Sequence, residues 1–239
     1  MEVFNSLIKK IEALLPYDRR TYDYTSARTA LEGRENELIL GRDAAYELGG
    51  GSFPSVSCTL FTEDSDLVPK DEVLVYGKEL AEISADCAFA RIAIIRTDFI
   101  EENGEQGAYA IIENIGLKKY DIFPKGYMVR ASALSSREQV RVAKSAISEG
   151  ISFETVGNLF IKKYKENKHV QAVKLIFVTL PDAPYTELES LAITSAKMIK
   201  ALNHIIADLK MDCKRCEWKP VCDEVEGMKE MHFKMAEHK

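Results

Sequence analysis

Short β-rich runs crowd the first half of this chain and longer helical periods fill the second, and this segregation limits the possible folds more than any other feature. The runs 37–41, 45–48, 56–61 and 73–76 are short, β-rich and punctuated by Gly and Pro, so each reads as a strand. A buried strand is expected over 90–97, a helix over 108–115 and a further strand over 126–131. The second half alternates more slowly. It predicts helices over 136–149 (ended by Gly150) and 153–166, then a long apolar strand over 170–180 and a long helix over 186–210. Val156, Leu159, Phe160 and Ile161 turn toward the core in one of these helices. In the last helix, Thr186 and Glu189 are placed to form a capping box, and Leu188, Ala192, Ile199, Leu202, Ile206 and Leu209 share a face. At the N-terminus Phe4, Leu7, Ile8 and Ile11 follow helical spacing up to Pro16, and residues 17–36 read as a polar, irregular connection. The expected fold class is therefore α+β, with mixed β-sheets packed with helices and a long C-terminal helix followed by a cysteine knuckle. Three units are expected: 1–35 (helix and connection), 36–211 (α+β domain) and 212–239 (cysteine-rich segment).

Composition narrows the functional classes. A chain of 239 residues with globular proportions of charged and apolar residues can bury a substantial core. Its net charge of −6 argues against a general nucleic-acid binder, though not against a local basic patch. No apolar run approaches the roughly 20 residues needed to span a bilayer. The first ten residues are too interrupted by charge for a signal peptide. Five cysteines, no export signal and a C-x-x-C turn fit a reducing cytoplasm better than a disulfide framework.

Three of those five cysteines lie within ten residues, Cys213-Lys-Arg-Cys216-Glu-Trp-Lys-Pro-Val-Cys222, and His232 follows ten positions later. Thiolates at C-x2-C-x5-C spacing converge on one point only if something binds them there. A metal or iron–sulfur site is the reading to set against a reduced thiol cluster without function, or the remnant of a lost site. The fourth ligand is open between His232, Cys58, Cys87 and an external group. Taken singly, Cys58 and Cys87 read as small buried hydrophobes.

Other motifs are weaker. Gly49-Gly50-Gly51-Ser52 lacks a Walker lysine and precedes a strand, so it reads as a turn between strands and not as a phosphate loop. His169, His204 and His238 form no catalytic set. No nucleophile elbow, zinc-protease helix or paired-carboxylate constellation is visible, so the catalytic residues are unknown. Arg137, Arg141 and Lys144 fall at helical spacing, a stripe that is either a solvated face or a receptor for an acidic partner or phosphate group.

The stretch from Arg141-Val-Ala-Lys144 through Gly150, Phe153 and Gly157 to Leu159 resembles a segment of the acetyl-CoA synthase subunit of the carbon monoxide dehydrogenase/acetyl-CoA synthase complex. Tyr46-Glu-Leu-Gly49-Gly50-Gly51-Ser-Phe-Pro54 resembles that family's glycine turn, and the segments occur in the same order. The likeness runs from about Asn36 to His232 and makes 36–211 similar to the synthase's middle domain. In the family a four-iron cluster is held by C-x2-C-x8-C-x9-C. The resemblance places Cys213, Cys216 and Cys222 on its first three positions, after a loop three residues shorter, and His232 on the fourth. It therefore implies a 4Fe-4S cluster, with zinc as the alternative for a Cys3His set. A family tryptophan implicated in coenzyme A binding aligns with Arg130, which joins Arg137, Arg141 and Lys144 as candidate cofactor-binding residues.

The family's Cys-Gly-Cys nickel domain and its N-terminal docking domain have no counterpart in this sequence, so complete acetyl-CoA synthesis is not expected. The expected function is that of a stand-alone relative acting as an iron–sulfur or metal-binding accessory protein of anaerobic one-carbon and corrinoid metabolism. Its expected partner is a redox or corrinoid protein, with homo-oligomerisation open and neither membrane nor nucleic acid among the partners. A subunit of a split CO-methylating acetyl-CoA synthase is the first alternative. An iron–sulfur nucleic-acid-processing protein is the second, disfavoured by the lack of a persuasive nuclease core.

Overall fold

A computed structural model describes residues 4–29, 38–40, 44–98, 105–130, 132, 134, 136–207 and 220, with backbone alone at 105–109 and 202–207. The fold is α+β. Two sheets carry eight strands: β1 (Arg20–Asp23), β2 (Ala45–Leu48), β3 (Ser55–Thr62), β4 (Glu72–Tyr76), β5 (Phe89–Thr97), β6 (Tyr127–Arg130), β7 (Gln139–Ala143) and β8 (Val170–Val178). Among the described residues five helices accompany them: α1 (Asn5–Leu14), α2 (Glu105–Leu117), α3 (Lys144–Ser148), α4 (Phe153–Tyr164) and α5 (Tyr185–Ala207).

The larger sheet runs β1-β4-β8-β5-β3 and the smaller runs β2-β7-β6. β8 is central, parallel to β4 and antiparallel to β5, which in turn is parallel to β3. A strand covered on both faces is largely apolar, and in Val170–Val178 Gln171 alone is exposed, while the buried Lys174 is paired with Glu12. Alternation assigns the covering helices. Val73 and Phe177 point to one face, where Gly157 of α4 rests on them. Cys58 and Lys174 point to the other, where Cys58 is hydrogen-bonded by Ser195 of α5 and Lys174 Nζ lies 2.8 Å from Glu12 Oε1 of α1. Phe4, Leu7, Ile8 and Ile11 thus join the same core as the sheet.

Most expected elements occur where the sequence placed them. Val156, Leu159, Phe160 and Ile161 are all fully buried. The glycine run is a turn between β2 and β3, with Gly49 and Gly51 at φ of 68° and 61°, a region that favours residues without a Cβ. Four expectations differ. The helix expected over 136–149 is instead β7 followed by the short α3, because Val140 and Val142 alternate inward and are paired on both sides by β2 and β6. Residues 20–23, expected to be irregular, form edge strand β1. Its pattern is almost wholly exposed, and Arg20–Glu82 and Asp23–Lys70 ion pairs tie it to neighbouring turns. Residues 38–40 of the strand expected at 37–41 have no regular structure. Thr186 lies inside α5, not at its cap, and Glu189 accepts from Arg137 Nε at 2.8 Å instead of closing a capping box. Among the described residues no helix is long and apolar enough to cross a membrane.

The seat of α4 is tight. A Cβ added at Gly157 would lie 2.6 and 2.8 Å from the two methyl carbons of Val73. The Gly157→Ala variant gains up to about 1 kcal/mol of helix propensity but overpacks a stiff β-branched neighbour at roughly 1–3 kcal/mol. A net loss of stability is expected in denaturant titration. The double variant with Val73→Ala should lose less than the sum of the two single losses.

Candidate functional site

The residues expected to bind metal, Cys213, Cys216, Cys222 and His232, lie outside the described residues. What the structure shows is the approach to them: α5 is described to Ala207, six positions before Cys213 in sequence. Among the described residues no group of three or more His, Cys, Asp or Glu is placed to hold a metal ion. Cys58 is buried on β3, and burial pushes its thiol up to about 12 against the lowering effect of the Ser195 hydrogen bond. Cys87 is half-buried beside β2, and burial raises its thiol as well. Both behave as the small packed hydrophobes the sequence suggested.

The four candidate cofactor-binding residues divide into pairs. Strand pairing sets Met128 opposite Arg141, Arg130 opposite Gln139 and Glu47 opposite Arg141. Alternation therefore puts Arg130, Arg141 and Glu47 on one face of the small sheet. Arg141 is already committed: its Nη1 donates to the Ile39 carbonyl at 2.6 Å and its Nη2 is paired with Glu47. Its buried Nε has no hydrogen-bond partner. Arg130 is 43% exposed, with Nη1 3.9 Å from Glu47 Oε2. The other two residues lie apart. Arg137 reaches α5 through Glu189, and Lys144 is exposed with Nζ 4.9 Å over the Tyr46 ring. Without a helix over 136–149 there is no basic stripe. Among the described residues this face of the small sheet sets the guanidiniums of Arg130 and Arg141 against the Glu47 carboxylate, with Arg130 the more exposed of the two.

A second constellation was not foreseen. Arg91 of β5 is fully buried, and its guanidinium grips Glu138 bidentately through Nε at 2.6 Å and through Nη2. Nη2 also reaches Ser57 Oγ at 3.3 Å, and Nη1 reaches the Tyr164 hydroxyl at 3.4 Å. The Phe160 ring lies under the guanidinium at 4.8 Å. Burial opposes ionisation of Glu138, but the Arg91 charge and its hydrogen bonds outweigh burial and hold the carboxyl below its usual range. The backbone secures the same joint, because Ser55 Oγ donates to the Glu138 carbonyl at 2.6 Å and accepts from the Glu138 amide at 3.0 Å. A charged residue inside the apolar run Ala90-Arg91-Ile92 was the available signal. Its partner, 47 residues away in a segment that reads as helical, gave none.

No protein-family model matches the chain, and no curated protein matches it.

Removing one member of the buried pair strands the other charge. Arg91→Met or Glu138→Gln should each cost about 3–5 kcal/mol in chemical denaturation, with the double variant well short of the sum. The lowered folded-state carboxyl stabilises the protein above the unfolded-state value of about 4.3, and that stability is lost as pH falls through the folded value. Acid unfolding of Glu138→Gln should therefore show a shallower pH dependence than that of the parent protein.

Proposed function

We propose that this protein is a relative of the middle domain of acetyl-CoA synthase that works as a metal-binding accessory protein of one-carbon metabolism. Cys213, Cys216 and Cys222, with His232 as the fourth ligand, would hold a 4Fe-4S cluster or a zinc ion. The observation that carries the family reading is spatial. The two segments that resemble the synthase, 46–54 and 141–159, are 87 positions apart in sequence (141 − 54) yet contribute adjacent strands. Tyr46 pairs with Val142 and Glu47 with Arg141 in the small sheet.

The chemistry divides accordingly. Three thiolates at C-x2-C-x5-C spacing supply the ligands. A bound cluster would supply electron transfer, and a bound zinc would supply a structural clip. The packed α+β body supplies a rigid support, and the Arg130 face of the small sheet supplies the positive charge an acidic partner or a phosphate-bearing ligand would meet. A redox or corrinoid protein is the partner this reading favours.

Metal analysis and the visible absorption spectrum of anaerobically purified protein test the reading. Iron with acid-labile sulfide and a broad band near 400 nm would identify the cluster, and about one zinc per chain without colour would identify the alternative. The Cys213→Ser variant should lose most of the bound metal while its far-ultraviolet circular dichroism stays close to that of the parent. Protein free of both metals, with Cys213→Ser indistinguishable from it, would end the proposal.

A further inference from the structure

Asp98 directly follows β5 and His169 directly precedes β8, the antiparallel neighbour of β5. The backbone joins the two residues, because the Asp98 amide donates to the His169 carbonyl at 3.1 Å. Their side chains meet as well, with His169 Nδ1 3.0 Å from Asp98 Oδ1. An ionised carboxylate only accepts, so the neutral ring keeps its proton on Nδ1 and its lone pair on Nε2. Both partners are held from behind. Gln171 Nε2 donates to Asp98 Oδ2 at 3.0 Å, and the His169 amide donates to Asn167 Oδ1 at 3.0 Å. Asn167 Nδ2 in turn donates to Asn114 Oδ1 of α2 at 3.1 Å.

The other end of the ring is open. Among the described residues Nε2 has no hydrogen bond and is not buried, and the side chain is 15% exposed. Three amide side chains and a carboxylate thus fix one presentation of this imidazole, with its lone pair outward and a negative charge directly behind. When Nε2 forms a bond the ring becomes an imidazolium, and Asp98 faces the positive charge that develops. A metal would need further donors on the Nε2 side, and among the described residues no group of three or more His, Cys, Asp or Glu supplies them. The approach to the ring favours an anionic reactant over a neutral one. Lys162, Lys163, Lys165 and Lys168 lead into His169 against Glu166 alone, and although Lys163 is paired with Glu166 and Lys165 with Asp71, Lys168 is exposed.

We propose that His169 Nε2 is a phosphoryl-acceptor site, modified by a small anionic donor with a labile bond to phosphorus, of which phosphoramidate is the simplest. The Nε2 lone pair attacks phosphorus and forms the N–P bond, while the bond from phosphorus to the donor nitrogen breaks. The electron pair of that bond leaves with ammonia. The ring keeps its Nδ1 proton throughout and ends as a phosphorylated imidazolium against the Asp98 carboxylate, so charge and protons balance without a further reactant. Asp98 is a positioning residue, since it touches neither phosphorus nor the leaving group. This site is separate from the cysteine segment and does not depend on the metal-binding reading.

The test is the rate and position of labelling when the full chain is incubated with potassium phosphoramidate, with free N-acetylhistidine in the same solution as the unassisted reference. Peptide mass spectrometry under alkaline conditions, which spare the N–P bond, locates the label, and phosphorus NMR tells Nε2 from Nδ1. His169 should be labelled at Nε2 and faster than N-acetylhistidine, and His169→Gln should remove that label. Asp98→Asn keeps an acceptor for Nδ1 but loses the charge, so it should slow labelling by about tenfold, the loss of one hydrogen bond to a charged group. Gln171→Leu leaves the pair in place and removes one bond to Oδ2, so it should slow labelling by less, and it serves if Asp98→Asn does not fold. A merely structural pair would predict neither the choice of nitrogen nor the excess rate. Labelling of His169 no faster than that of N-acetylhistidine, labelling at Nδ1, or an unchanged rate in a folded Asp98→Asn would each overturn the proposal.

Discussion

A single buried ion pair joins the two sheets. Arg91 belongs to the large sheet, and Glu138 sits one residue before β7, the central strand of the small one. Burying either charge alone would cost several kcal/mol, so neither sheet can take its native position without the other. The joint is reinforced where it would otherwise hinge. Ser55 brackets the Glu138 backbone in both directions, and the Ser57 amide donates to the Ser136 carbonyl at 2.7 Å. Because Ser55, Ser57 and Arg91 lie on adjacent parallel strands in fixed register, the position of Glu138 is set by the pairing of β3 with β5.

That joint also explains which parts of the fold were legible in the sequence. Elements buried by their own pattern were readable: β8 as a long, mostly apolar run, α4 from the inward set Val156, Leu159, Phe160 and Ile161, and β5 from its isoleucines. Elements defined by a distant partner were not. The segment 136–149 carries a basic helical periodicity and a two-residue alternation together, and only the flanking strands β2 and β6 decide between them. β1 has one half-buried residue, Tyr22, and owes its existence to the open edge of β4. The capping box at Thr186 failed for the same reason, since the Glu189 carboxylate found a guanidinium from a segment the sequence had placed on a different helix.

The candidate sites divide along the same line. A ligand set that is local in sequence, Cys213 to Cys222, can be read from spacing alone. A site assembled across elements cannot. Arg130 and Arg141 meet because β6 and β7 are antiparallel, while Arg137 and Lys144, nearer to Arg141 in the chain, point to different neighbours. The group of Arg91, Glu138, Ser57 and Tyr164 draws on four separate segments of chain, with no motif in any of them.

The placement of Lys119 follows from the topology. β3 is the last strand of the large sheet, with α4 on one face and α5 on the other, and the 3-10 turn after α2 packs against α4 while α2 itself packs against α5. An edge strand of eight residues with its flank open would be a template for pairing with another chain. A long lysine is one means of blunting such an edge, its stem covering apolar surface while its charge stays in contact with water. Lys119, half-buried with Nζ 5.0 Å over the Tyr120 ring, has that form.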